Sequence, residues 1–169
     1  MYAVGHLALG YLTGKATGRL LKLNPNLPLL FLASILPDID LLIPGVEHRG
    51  PTHSLVLAML LFLPLFTYFR KQALPYLVAL IQHSLIGDLV TGGGIQLLYP
   101  LKNHYYQGLP LQVTGLPNVL LEWIFFLTCF SILLKTRDAW TLLRSHLSNL
   151  TLSIPGFTVL LPTFLSFPL

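Results

Sequence analysis

The chain has 169 residues, of which 54% are hydrophobic and only 9% are charged. A soluble domain carries about 25% charged residues, so this composition argues against a water-exposed globule, a disordered chain, a coiled coil and a nucleic-acid-binding domain. The length allows one domain. We predict an all-α, polytopic transmembrane helix bundle with about four to five embedded helices.

Five apolar segments follow one another along the chain. The first, residues 2–23, is weakly apolar and is interrupted by glycines and basic residues, which indicates a helix that is only partly embedded. Four stronger segments cover residues 27–43, 55–69, 74–90 and 116–134. Several of them are shorter than the roughly 20 residues that cross a bilayer core, so flanking residues must complete them.

The domain organisation predicted from these segments is simple. Residues 1–145 form one membrane-embedded domain, and residues 146–169 form an apolar C-terminal segment that contains three prolines and is a poor helix former. The single cysteine, Cys129, excludes an internal disulfide and a cysteine-based zinc site.

Basic residues predict the orientation of the bundle. If Lys15, Arg19 and Lys22 are cytoplasmic, eight of the ten basic residues fall inside and only Arg49 and Lys102 fall outside. This distribution agrees with the positive-inside rule. The connectors 44–52 and 92–115 then lie on the outer side.

Acids and histidines are costly inside a membrane and persist there mainly when they face an interior cavity and serve a function. On the predicted topology, most of them fall toward the outer end of the bundle, from four or five different segments. The candidates are His6, Asp38, Asp40, His48, His53, His83, Asp88 and Glu122. Imidazole and carboxylate without thiolate suit a divalent metal, zinc first and manganese or iron as alternatives, with one or two ions.

Each candidate also has a simpler structural interpretation. Asp38 follows Pro37 and could cap a turn, and the loop around His48 could end in a Thr52 or Ser54 N-cap for the next helix. Glu122 lies inside a strongly apolar run, with Asn118 one helical turn earlier as a possible partner.

Short motifs carry a resemblance to a known family. They are Gly5-His6, Leu-Pro-Asp-Ile-Asp at 36–40, His-Arg-Gly-Pro-Thr-His-Ser at 48–54, the stretch 83–91 and Leu-Leu-Tyr-Pro at 97–100. In this order they resemble the membrane-bound metal-dependent hydrolase family, also labelled LexA-binding, inner-membrane-associated hydrolase, over residues 1 to about 125. The resemblance implies a multi-pass protein of the inner (cytoplasmic) membrane that acts as a metal-dependent hydrolase.

Under this resemblance the candidate residues take roles. Asp38, Asp40, His53 and Asp88 are expected as core metal ligands, and His6, His48, His83 and Glu122 complete one or two ions. Asp40 or Glu122 is expected to be the general base, and Arg49 is expected to steady an anionic group.

One departure from the family pattern concerns His83. The family places the histidine four residues before the aspartate, whereas His83 and Asp88 are five apart and Ser84 stands at the family histidine position. An α-helix would hold residues five apart about 140° from each other around its axis. A π-bulge before Gly87 would restore the pairing; otherwise Ser84 or a water replaces His83.

The expected function is hydrolysis of a phosphoester, including a lipid head group, by water activated on one or two metal ions. The expected partners are membrane lipid and a small-molecule or lipid phosphoester, with no nucleic acid, and a LexA-type regulator only through the family label. The alternative is an ion- or proton-coupled transport or binding protein that uses the same acids and histidines. That alternative predicts polar residues spread through the membrane depth rather than gathered at one end.

Overall fold

A computed structural model describes residues 1–91, 93–109 and 111–144. The described part is helical and contains no β-strand, which confirms the all-α part of the predicted fold class; one isolated bridge pairs Ile95 with Tyr106. The predicted C-terminal segment, residues 146–169, lies outside the described residues.

The described residues form six α-helices, and shorter helical segments of other types lie between some of them. The α-helices are α1 Ala3–Leu20, α2 Leu27–Ile35, α3 Leu55–Phe69, α4 Leu74–Gln82, α5 Leu116–Lys135 and α6 Asp138–Leu143. Three 3₁₀ segments cover Leu36–Leu42, Pro51–His53 and Arg70–Ala73, and one π-helix covers His83–Asp88.

Local sequence signals account for the helix starts. The Asn26 side chain accepts a hydrogen bond from the Leu29 N–H at the start of α2, and the Ser54 hydroxyl accepts one from the Leu57 N–H at the start of α3. Both are N-caps that satisfy an otherwise unpaired backbone donor. The predicted Ser54 cap is therefore present.

Helix α1 is the centre of the bundle and packs against α2, α4 and α5. Gly10 and Gly14 make the contact with α2 close, because a Cβ at these positions would overlap the side chains of Ser34 and Leu30. Tyr11 lies fully buried in the core cluster formed by these helices.

Two stretches of the described chain are long and apolar enough to cross a membrane, Leu55–Asp88 and Leu116–Lys135. This number is smaller than the four to five embedded helices predicted. Helix α2 has only nine residues and is about 13.5 Å long, far short of a hydrocarbon core of about 30 Å. Helix α1 is long enough to be partly embedded, but it contains Lys15 and Arg19.

The stretch Leu55–Asp88 is not one straight rod. It contains α3, a 3₁₀ turn, α4 and the π-helix, and its two ends meet, since His53 Nε2 lies 3.2 Å from Asp88 Oδ2. The chain therefore folds back on itself at Arg70–Ala73. Helix α3 leaves most of its side chains exposed, with Phe62 its only buried residue and Leu61 74% exposed. An apolar surface of this kind suits contact with lipid or another protein.

A candidate metal centre at one end of the bundle

Three separate segments bring the main site residues to one place. Asp38 and Asp40 lie on the 3₁₀ segment after α2, and His53 ends the short 3₁₀ segment before α3. His83 and Asp88 are the first and last residues of the π-helix. All five are buried. The predicted convergence of these segments is present in the fold.

Four donor atoms of these side chains face one another. They are Asp38 Oδ1, His53 Nε2, His83 Nε2 and Asp88 Oδ2. His53 Nε2 lies 3.4 Å from the Asp38 oxygen, 3.2 Å from the Asp88 oxygen and 3.2 Å from the nitrogen of His83. His83 Nε2 lies 3.3 Å from each of the two carboxylate oxygens. Five of the six separations among the four atoms are therefore nearly equal.

Separations of this size can be compared with the edges of the tetrahedron that four ligands form around a metal ion. A regular tetrahedron with edges of about 3.3 Å places each corner about 2.0 Å from its centre, which is the length of zinc–nitrogen and zinc–oxygen bonds. Asp88 Oδ2 is also buried without a hydrogen-bond partner, although buried polar atoms are normally paired. The donors of His53, His83 and Asp88 therefore fit three ligand positions of a small divalent cation, and Asp38 Oδ1 lies within 3.4 Å of both imidazole nitrogens.

The π-helix explains how His83 reaches this set. Residues five apart diverge around an α-helix, but the i→i+5 pattern of a π-helix brings them close to one face. His83 and Asp88 accordingly point to the same place, with Nε2 and Oδ2 3.3 Å apart. Ser84 is buried in the same turn, but the imidazole among the donors is that of His83.

Neighbouring groups hold both rings in the orientation that a metal ligand needs. His83 Nδ1 lies 2.7 Å from the Ser34 carbonyl oxygen, which can only accept, so Nδ1 carries the proton and a neutral ring has its lone pair on Nε2. His53 Nδ1 lies 3.3 Å from Asp40 Oδ2 and 3.0 Å from the Thr52 hydroxyl. Such partners fix the tautomer and orientation of metal-binding histidines.

Asp40 therefore occupies a supporting position. Besides His53, it contacts His48 Nδ1 at 3.1 Å, accepts a hydrogen bond from the Thr52 hydroxyl at 2.7 Å and accepts one from the Arg49 N–H at 3.3 Å. With both oxygens engaged in this way, Asp40 orients two imidazoles. It is not a member of the donor groups that the described residues form, whereas Asp38 is.

His6 and His48 flank the four donors on different sides. The His6 ring stacks on His83 with 3.7 Å between ring centroids, and its Nε2 lies 3.5 Å from Asp88 Oδ1. Gly87 makes room for it, because a Cβ there would overlap the His6 ring. The His48 side chain is 40% exposed. Each of these histidines forms a further three-residue donor group that includes Asp38.

Arg49 joins the cluster from the connector side. Its Nη2 lies 3.1 Å from Asp88 Oδ1, while its buried Nε has no hydrogen-bond partner. Gly93 leaves room for the guanidinium, because a Cβ there would overlap it. Beside Arg49 opens a cavity of about 580 Å³ whose polar lining includes Thr91 and Gln112. The arrangement places a positive charge at an open cavity next to the donors.

Glu122 stands apart from this cluster. Its carboxylate accepts hydrogen bonds from the Tyr2 backbone N–H at 3.0 Å and from the Asn118 amide at 2.8 Å, so the predicted Asn118 partner is present. Among the described residues Glu122 belongs to none of the donor groups. Its contacts tie the start of α1 to α5.

Electrostatics show how strongly the carboxylates attract positive charge. Burial opposes charging of the His53 imidazole, but the carboxylates of Asp38, Asp40 and Asp88, each within 3.4 Å of a ring nitrogen, outweigh burial and raise its pKa to about 10. Burial likewise opposes charging of Asp38, but the neighbouring His83 and His53 hold the pKa of this carboxyl well below its usual range. A proton on His53 therefore partly neutralises these acids.

Two supporting residues were missed by the sequence reasoning. Ser34 acts through its backbone carbonyl, for which no side-chain pattern exists. Thr52 lies inside the His-Arg-Gly-Pro-Thr-His-Ser motif, where its position one residue before His53 was the available signal.

Comparison with known protein families places the chain in a family. The family described as YdjM inner membrane protein matches residues 1–159, nearly the whole chain. No curated protein and no solved structure matches. The match confirms the predicted inner-membrane family, while hydrolase activity and LexA binding stay predictions. The chain belongs to the YdjM inner membrane protein family.

Proposed function

We propose that the protein is a multi-pass, membrane-bound, metal-dependent hydrolase. The observation that supports this proposal best is the donor group of His53, His83 and Asp88, with Asp38 beside both imidazoles. Each imidazole Nε2 lies 3.2–3.4 Å from the other and from the two carboxylate oxygens, which is the edge length of a tetrahedral metal site. Buried acids and imidazoles of this density are costly unless they bind a cation or take part in chemistry.

These four residues would hold the first ion. Zinc is favoured by the tetrahedral spacing, and manganese or iron would use the same donors with additional open positions. His6 and His48, which form further donor groups with Asp38, are available for a second ion. A bound divalent cation supplies Lewis acidity and lowers the pKa of a water molecule.

Arg49 and its cavity favour an anionic substrate. The guanidinium is planar and always charged, so it can bind a phosphate oxygen pair, and its unpartnered Nε leaves a donor for this purpose. Arg49 lines this cavity and also forms an ion pair with Asp88, with 3.1 Å between Nη2 and Oδ1. We assign to this position the anionic group of a phosphoester.

With one ion bound, His48 is not a metal ligand, and proton transfer falls to the Asp40–His48 pair. His48 is the exposed imidazole of the cluster, and Asp40 orients it through Nδ1 at 3.1 Å. A partly exposed histidine with a carboxylate partner is a common general base. Of the two acids expected in this role, Asp40 acts through His48, whereas Glu122 is engaged with Tyr2 and Asn118.

The membrane arrangement follows from the helical hairpin. Because the ends of Leu55–Asp88 meet at one end of the bundle, α3 and α4 enter and leave the membrane on the same side. Helix α5 adds a further span, and α1 with α2 completes the bundle. The positive-inside distribution then assigns the site to the outer side.

Metal analysis tests the proposal. Purified protein is compared with the Asp38→Asn variant, and with Asp138→Asn as a control that removes a buried carboxylate elsewhere. We expect bound metal in the wild type and the control and its loss in Asp38→Asn, and we expect phosphodiester hydrolysis that a chelator abolishes and added zinc or manganese restores. Equal metal content in all three proteins would overturn the ligand assignment.

The same purified protein distinguishes the transport alternative from the hydrolase. It predicts metal or proton binding without chelator-sensitive hydrolysis on any phosphoester. The gathering of the site residues at one end of the bundle weighs against it.

A further inference from the structure

A second feature of the bundle lies outside the metal centre. An apolar groove of about 620 Å³ runs between α2 and α3 with α4 as its floor. Its walls include Leu29, Leu32, Leu36, Phe62, Phe69 and Leu80. The volume lies within the range of about 300–1,000 Å³ that ligand sites occupy.

The groove exists because two helices share a neighbour without filling the space between themselves. Helices α2 and α3 both pack on α4. Helix α2 offers one apolar face through Leu29, Leu32 and Ala33, and Leu36 continues it, whereas α3 buries only Phe62. The groove therefore runs along the whole of α2 and lies open on one side.

One end of the groove adjoins the metal centre. Leu36 begins the 3₁₀ segment that presents Asp38 two residues later, and Leu80 lies three residues before His83. The other end carries the polar side chains Asn24 and Gln72. An amphiphile whose chain lies in the groove would therefore have its head group at the Asp38 side of the cluster.

The surroundings decide what fills such a groove. The chain belongs to an inner-membrane family, and α3, which forms one wall, exposes Leu60, Leu61 and Leu63. A groove with this lining, opening beside an apolar helix surface, is in contact with hydrocarbon rather than water. We propose that the groove binds one hydrocarbon chain of a membrane phospholipid and presents the head group of that lipid to the metal centre as substrate; the substrate part of this proposal rests on the proposed function.

Photo-crosslinking tests occupancy independently of catalysis. The full chain is reconstituted in vesicles that contain phosphatidylethanolamine with a diazirine midway along one acyl chain, and crosslinked residues are mapped by mass spectrometry. We expect crosslinks at the groove residues Leu29, Leu32 and Phe62 to exceed those at exposed Leu61 several-fold. Equal labelling of the groove and of Leu61 would overturn the proposal.

A variant that fills the groove gives the second readout. Ala33 lines the groove, so Ala33→Trp should lower the groove crosslinks several-fold, while the matched Leu61→Trp on the outer surface of α3 should leave them unchanged. If Ala33→Trp does not fold, Ala33→Leu serves the same purpose with a smaller side chain. Unchanged groove crosslinks in a folded filling variant would contradict the assignment.

Hydrolysis separates the two proposals. Ala33→Trp should lower kcat/KM several-fold for a long-chain phospholipid and leave a water-soluble phosphodiester unaffected. Groove crosslinks without chelator-sensitive hydrolysis would reject the hydrolase and keep the lipid site. Hydrolysis of the soluble ester with equal effects of Ala33→Trp on both substrates would reject the groove as a substrate site and keep the hydrolase.

Discussion

Helix α1 contributes to two buried ionic sites, and they differ in how their charges are satisfied. Near its far end, Lys15 Nζ lies 2.6 Å from Asp138 Oδ2, and the Tyr11 hydroxyl donates to the same oxygen at 2.8 Å. One carboxylate meets one ammonium group and one hydroxyl. This site joins α1 to α6, and its negative and positive charges balance each other.

Near the start of α1, His6 belongs to a cluster of the opposite kind. Three aspartates, Asp38, Asp40 and Asp88, face imidazoles. Among the described residues, the fixed positive charges beside them are the Arg49 guanidinium and the Met1 ammonium group, 3.1 and 3.6 Å from Asp88 Oδ1. Asp88 Oδ2 and His6 Nδ1 are buried without hydrogen-bond partners. The comparison shows that a buried acid in an apolar chain is not by itself a sign of a metal site; an excess of donors without a matching cation is the better sign.

The largest effect is expected from a substitution in the metal centre, which should remove metal binding. Asp88→Asn keeps the shape of the side chain but removes a charge and a donor from the four-atom set. We expect loss of bound metal and a decrease in hydrolysis of more than about 100-fold, since even supporting residues of metal sites cost 10–100-fold. Metal content and phosphodiester turnover are the measurements. Metal retained at the wild-type level would contradict the assignment of Asp88.

A smaller effect is expected from Gly87→Ala, which pushes the His6 ring from its place on His83. The metal affinity should fall by about 10–100-fold, measured by competition with a chelating dye. In a His6→Ala background the same change should have little further effect, because the displaced ring is already gone. Additive losses would show that Gly87 acts through another contact.

Substitution in the Lys15–Asp138 site should lower the free energy of unfolding rather than the metal content. Asp138→Asn leaves Lys15 without its carboxylate, and we expect a loss of about 1.5–3 kcal/mol, the contribution of a hydrogen bond to a charged group. Denaturation in detergent measures it, and the metal content should not change. Lys15→Met combined with Asp138→Leu should recover part of the loss, since an apolar pair can replace a buried ion pair.

The smallest effect is a pH dependence of the same pair. Burial opposes ionisation of Asp138, but its hydrogen bonds with Lys15 and Tyr11 are stronger in effect and hold its pKa below the usual 3.8. A depressed folded-state pKa contributes stability above the unfolded pKa, and this stability is lost as pH falls through the folded value. The difference in stability between wild type and Asp138→Asn should therefore be constant near neutral pH and shrink below about pH 4. A gap that widens on acidification would contradict this sign.

Much of the candidate site was visible in the amino-acid order. Placing apolar runs and basic connectors on a topology was enough to predict that Asp38, His53, His83 and Asp88 converge, because helices that cross in alternate directions bring their ends to the same side. The roles of Asp40 and Glu122 were not visible in this way. They depend on which partner each oxygen meets, Thr52 and two imidazoles for Asp40 and the Tyr2 N–H for Glu122.

Composition and the order of apolar segments predicted the helical class, a membrane-embedded chain and the end of the bundle where acids and histidines gather, because these properties depend on local sequence. The inner membrane was implied by the motif resemblance and is supported by the family match. Tertiary structure decided the rest. It selected the π-helical turn at His83–Asp88 from the alternatives that the five-residue spacing left open. The fold-back of Leu55–Asp88 and the groove beside α2 depend on contacts between segments distant in the chain. A hydropathy pattern records which residues are apolar but not what covers them. It therefore cannot predict that one side of a short helix lacks a packing partner.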